Sequence, residues 1–160
     1  MIQVDDKAPD FDLPVLIGGV RQRFRLHEKR GKNVVLAFYP FNWEPASTEQ
    51  FTAYQVEREQ LLECNAEVVG ISVDSIMNTT AWERDIGPFD FPLCSDFWPH
   101  GEVCSRYGVL RADEPARGAS ERAIFIVDQS GKVAFRKLYG LNDLPDINEL
   151  FHWLRALRAA

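Results

Sequence analysis

A three-layer α/β fold, with a mixed central β-sheet flanked by helices, is what this chain of 160 residues predicts. Three observations carry the prediction. The continuous apolar run Val34–Tyr39 reads as a strand buried on both faces, and the largely apolar Ala66–Val73 as a second buried strand. Each is followed by a helical pattern, which calls for parallel pairing through crossover helices. A later pair of runs, Ala123–Val127 and Lys132–Leu138, brackets Asp128-Gln129-Ser130-Gly131, a hairpin signal that adds antiparallel strands.

The elements follow in chain order. Lys7 to Pro14 holds two prolines and is expected to be extended; Gly18-Gly19 reads as a turn, and Arg21 to Arg25 completes a small hairpin. Thr48 to Glu63 reads as one helix with an apolar stripe of Phe51, Tyr54, Leu61 and Leu62. Asp74 or Ser75 caps a second helix, which runs through Trp82 to about Ile86 and stops at Gly87-Pro88. Gly101 to Tyr107 reads as a short helix ended by Gly108. Asp146 caps the last helix, with Ile147, Leu150, Phe151, Leu154 and Leu157 on one face and Arg155 and Arg158 near its C-terminal end.

Length and composition set bounds on function. One domain spanning residues 1–160 is expected, with a full core. The net charge of -6 argues against nucleic acid as a partner, since phosphate binding relies on clustered Lys and Arg. No apolar stretch has the length to cross a bilayer, so no membrane association is expected. The start, Met1-Ile2-Gln3-Val4-Asp5-Asp6, lacks the pattern of a signal peptide, and a cytoplasmic location is the default. The three cysteines, Cys64, Cys94 and Cys104, are odd in number and form no C-x-x-C pair; neither a disulfide framework nor a metal site is expected, and nothing calls for a cofactor.

Attention falls on Phe38-Tyr39-Pro40-Phe41-Asn42-Trp43-Glu44-Pro45-Ala46-Ser47-Thr48-Glu49-Gln50. A strand that ends in a Pro-containing loop and then opens a helix places side chains at a helix N-terminus, where negative charge is stabilised. Ser47-x-x-Gln50 fits a capping box at the helix start. A serine hydrolase is disfavoured: there is no Gly-x-Ser-x-Gly elbow, and His27, His100 and His152 stand in no recognisable triad.

An ordered set of segments resembles the peroxiredoxins, thiol peroxidases of the thioredoxin-like superfamily. Asp6-Lys7-Ala8-Pro9-Asp10-Phe11-Asp12-Leu13-Pro14 is similar to the family's opening and Gly31–Pro40 to its first core strand. Val69-Gly70-Ile71-Ser72-Val73-Asp74 resembles the next strand, and Phe91–Asp96 with Tyr107-Gly108-Val109 the middle section. Glu121–Asp128 resembles the arginine-bearing strand. The likeness is greatest to the monothiol and bacterioferritin-comigratory groups, rather than to the long-tailed two-cysteine group. It implies a thioredoxin-like fold, a peroxide substrate, a thiol reductant and a homodimer. The family motif, Pro-x-x-x-(Thr or Ser)-x-x-Cys, places Pro40 at the proline, Glu44 at the Thr/Ser position and Ser47 at the peroxidatic cysteine, and the family's arginine maps onto Arg122.

In such a peroxidase a thiolate attacks one peroxide oxygen and becomes a sulfenic acid. Helix N-terminus and arginine lower the thiol pKa, and the Thr or Ser hydroxyl helps to align the peroxide. Ser47 has no thiolate, and oxygen has no sulfenic state to cycle through. A carboxylate at position 44 would oppose a thiolate by like-charge repulsion. Glu44 is expected either to pair with Arg122, taking the thiolate's charge role, or to stand exposed ahead of the helix. Three functional readings follow. The chain is a natural pseudo-peroxidase that keeps its pocket for binding or regulation, an active peroxiredoxin changed from Cys to Ser in the laboratory, or an oxidoreductase using Cys64, Cys94 or Cys104. Glu44 favours the first, because a trapping substitution would leave the Thr/Ser position alone. Cys94 is expected to be buried; Cys104 is expected either to serve in plain packing or, as the resemblance implies, to be a remnant of a resolving cysteine; a Cys94–Cys104 disulfide stays open. Trp43 and Phe97-Trp98-Pro99-His100 are expected either to flank the pocket at a dimer interface or to fill the core.

Overall fold

Strict alternation of side chains along the central strands divides the interior into two cores. In the computed structural model, which describes residues 2–159, β3 (Asn33–Phe38) sends Val34, Leu36 and Phe38 to one face and Val35 and Ala37 to the other. β6 (Arg122–Val127) does the same with Phe125 and Ile124. Burial on both faces is why these segments read as unbroken apolar runs. The first core closes under Phe11, Phe24, Leu26, Val103 and Tyr107. The second closes under Phe51, Tyr54, Leu61, Trp82, Phe151 and Leu154. Fully burying each such side chain stabilises the fold by roughly 1.5–3 kcal/mol before the entropy of ordering it is counted.

The remaining strands are β1 (Asp12–Ile17), β2 (Val20–Arg25), β4 (Ala66–Ser72), β5 (Leu93–Ser95) and β7 (Val133–Tyr139). All seven form one sheet in the order β2-β1-β5-β4-β3-β6-β7. β3 pairs in parallel with β4, and β4 with β5, whereas β3–β6, β6–β7, β1–β2 and β1–β5 are antiparallel. The helices are α1 (Pro45–Val56), α2 (Arg58–Glu63), α3 (Ile76–Ile86), α4 (Glu102–Arg106) and α5 (Ile147–Ala159), with a 3-10 turn at Leu26–Lys29. The mixed sheet and its flanking helices are those expected. Ser75 caps α3 by accepting from the Asn78 N–H, and the Asp146 carboxylate accepts from the Asn148 N–H at the start of α5.

Three expectations change. The single helix over 48–63 is two, divided at Glu57, whose φ of -96° and ψ of 17° turn the chain. The turn directs Leu61 inward and leaves Leu62 half exposed, so the stripe is Phe51, Tyr54 and Leu61. The helix starts at Pro45, ahead of the serine, because proline lacks an N–H and has φ preset for the first helical position. Ser47 is therefore inside the first turn and is not the cap; Glu44 holds that position, with no side-chain capping bond. β5 is the third difference. It is three residues long, too short for any period to register, and is defined by pairing with β4 and β1.

Candidate functional site

The carboxyl ends of the parallel strands β3 and β4 meet the amino end of antiparallel β6 at one end of the sheet. Register sets what lies there: Phe38, the last residue of β3, pairs with Ala123, so Arg122 stands beside the exit of β3. The chain leaves β3 through Tyr39 and buried Pro40, loops to Glu44 and enters α1.

That loop is tied to its neighbour. The Asn42 N–H donates to the Asp74 carboxylate at 2.8 Å, and the Asn42 side chain donates to Asn78 and Thr79 of α3 at 3.0 Å each. Tyr39 O–H donates to Asn42 Oδ1 at 2.7 Å, and Trp43 Nε1 donates to Asn78 at 3.0 Å. Trp43 has a φ of 71°, a left-handed conformation rare for an aromatic residue, held by these bonds. Burial, eased by the Asn42 and Ser72 donors, raises the Asp74 carboxyl above the ordinary aspartate range.

Arg122 is fully buried and makes an ion pair with the Glu44 carboxylate. Of the two expectations for Glu44, the pair is the one found, with its side chain only 20% exposed. The other donors of Arg122 are also engaged. Nη1 donates to Gln50 Oε1 at 2.8 Å and to Ser47 Oγ at 3.3 Å, while Nε and Nη2 donate to the Leu141 carbonyl at 3.0 and 2.8 Å. A guanidinium has five N–H donors, and each has a protein acceptor. Ser47, itself buried, donates its hydroxyl to Glu44 Oε1 at 2.9 Å. Gln50 donates onward to Tyr54 O–H at 2.9 Å, and burial pushes the Tyr54 phenol up to about 12. Burial pulls Arg122 below the ordinary arginine value, with the Glu44 charge opposing that shift.

Glu44, Ser47 and Arg122 are thus together, with Pro40 in the same loop. The cysteines are elsewhere. Cys64 follows α2 in the second core; Cys94 and Cys104 lie in the first. All three are free and buried, and no disulfide joins Cys94 to Cys104. Burial raises both of those thiols, and the Asp96 carboxylate raises them further. His27 pairs with Asp10, and His100 meets the Gly118 carbonyl; neither bonds to Ser47. Trp43, Phe97 and Trp98 are 49%, 52% and 80% exposed, so core filling does not account for them.

Sequence reasoning missed the positioning roles of Gln50, Tyr54 and Leu141. The spacing 47, 50, 54 puts Ser47, Gln50 and Tyr54 on one face of α1, a signal available beforehand. Leu141 acts through its backbone and has no side-chain signature.

The sequence profile described as the AhpC/TSA family matches residues 4–136. The chain belongs to that family. It is 32% identical to "Peroxiredoxin-2" of Mus musculus over 163 residues, covering 98% of this chain and 78% of the mouse protein. Among solved structures, a reduced 2-Cys peroxiredoxin from Plasmodium vivax superimposes with a TM-score of 0.90 at 26% identity, covering 98% of this chain and 82% of that one. An Enterococcus faecalis AhpC gives 0.89 at 27%, covering 99% and 94%. The thioredoxin-like fold of the peroxiredoxins is therefore the fold of this family member. The Plasmodium protein is a two-cysteine peroxiredoxin, so the likeness is not confined to the monothiol and bacterioferritin-comigratory groups.

Proposed function

We propose that this chain is a single-domain peroxiredoxin-family protein that does not act as a thiol peroxidase, its pocket closed by its own carboxylate. The observation that carries the reading is the saturation of Arg122: every guanidinium donor is engaged within the protein, and Glu44 supplies the negative charge. Arg122 has no free donor for an incoming peroxide, and Ser47 offers a hydroxyl already bonded to a carboxylate. The oxidoreductase reading is less well supported, because buried thiols in apolar surroundings are inert. Three free cysteines fit a cytoplasmic setting. Exposed Phe41, Trp43, Phe97 and Trp98 fit the implied homodimer.

Peroxide consumption with dithiothreitol or a thioredoxin system tests the reading on three proteins: the native chain, Ser47→Cys, and Ser47→Cys combined with Glu44→Thr. We expect no turnover from the first, little from the second and clear turnover from the third. Turnover by the native chain would overturn the reading. Full turnover by Ser47→Cys alone would favour an active enzyme carrying a single trapping substitution.

A further inference from the structure

Charge along the chain is strongly uneven. Between Val20 and Lys32 lie six of the 18 Lys and Arg residues but one of the 24 Asp and Glu, although the whole chain carries a net charge of -6. These residues form β2 and the 3-10 turn, and then lead into β3. β2 is an edge strand, so its outer backbone groups have no strand beside them. Arg21, Arg23 and Arg25 alternate along it and are all exposed. Arg23 and Arg25 share Asp12, Arg25 also meets Glu28, and Lys29 meets Glu67. Arg21, Arg30 and Lys32 have no salt-bridge partner among the described residues.

Charge on an edge strand keeps like edges apart, but two features go beyond that. The cations continue past the strand to Lys32. The opposite edge, β7, employs its own within the fold: Lys137 pairs with Glu149, and Arg136 donates to the Ile2 carbonyl. The band ends at a cavity of about 250 Å³ lined by Lys29, Lys32 and apolar Leu61, Val68 and Phe91, in which the carboxylates Glu67 and Asp90 are paired with Lys29 and Arg58.

We propose that the band from Arg21 to Lys32 is a docking surface for an extended acidic segment of another protein, which adds to the free edge of β2. Carboxylates of such a segment meet Arg21, Arg30 and Lys32, its backbone pairs with β2, and an apolar side chain enters the cavity. A second copy paired edge to edge would set Arg against Arg, which excludes this chain as its own partner. Nucleic acid is the poorer fit, because Phe24, the aromatic residue of β2, is buried and unable to stack on bases.

The test measures fluorescence anisotropy of a labelled peptide of alternating Glu and Val binding to the full chain. We expect saturable binding that weakens with salt. Arg21→Glu with Lys32→Glu is expected to weaken it about tenfold at an unchanged melting temperature, and Arg84→Glu with Arg117→Glu, the same charge change elsewhere, by less than about twofold. A peptide with proline at its centre, which cannot extend the sheet, is expected to bind about tenfold more weakly. Absence of saturable binding, indifference to the Arg21 and Lys32 changes, or equal binding of the proline peptide would overturn the proposal. So would tighter binding of a single-stranded oligonucleotide or of phosphatidylserine vesicles.

Discussion

The two ends of this molecule's chemistry lie apart. At the exit of β3, Arg122 and the amino end of α1 supply positive charge but no sulfur. In the first core, Cys94 and Cys104 supply sulfur, with apolar packing and an acidic neighbour, Asp96. A reactive thiol needs both sulfur and a setting that favours the anion. Here the setting is filled by an oxygen anion, and the sulfur sits where an anion is disfavoured. The contrast shows the two requirements held apart in one chain: Glu44 and Ser47 occupy the cationic setting, and the buried thiols lie outside it.

The largest effect expected to sharpen this contrast is in thiol reactivity. Labelling of the three cysteines by iodoacetamide in the folded chain is expected to run about a thousandfold slower than in urea, limited by opening of the cores. One thiol reacting natively at the rate of a free cysteine would erase the distinction between the two regions and return the redox reading to that residue. Next comes Arg122→Met, which leaves Gln50 Oε1 and the Leu141 carbonyl without their donors and Glu44 with only the Ser47 hydroxyl. A loss of about 3 kcal/mol in urea unfolding is expected. A loss below about 1 kcal/mol would show that the network is slack.

The smallest effect concerns something both regions have, an aspartate whose pKa burial raises: half-buried Asp74 beside the loop and buried Asp96 beside Cys104. A carboxyl with a raised folded pKa adds stability in acid, and that stability fades as pH rises through the folded pKa. Asp74→Asn stays neutral and keeps an oxygen to accept from Asn42 and Ser72. Its stability relative to the native chain is expected to rise between about pH 4 and pH 7. A difference that stays flat over that range would remove Asp74 from the list of strained groups.

Much of this was legible beforehand. The sheet's centre was, because double burial writes itself as an unbroken apolar run at Val34–Tyr39 and a largely apolar one at Ala66–Val73. The pairing of Glu44 with Arg122 was too, because the motif placed opposite charges at positions that the fold brings together. The roles of Gln50 and Tyr54 were signalled by the helix face they share with Ser47, but a competing match hid them. Ser47-x-x-Gln50 matched a helix cap, and Pro45 moved the true start ahead of it. β5 and the Leu141 carbonyl escaped for a simpler reason: three residues carry no period, and a backbone oxygen carries no letter.

Saturation of Arg122 also bears on how this protein would behave in a ligand screen. A binding site usually stabilises its protein when filled, since the ligand meets groups that water had satisfied less well. Here an incoming anion exchanges one acceptor for another, with Glu44 released to solvent in return. Melting-temperature surveys would be blind at this end of the sheet, and a silent result there would reflect a site that already contains its own ligand.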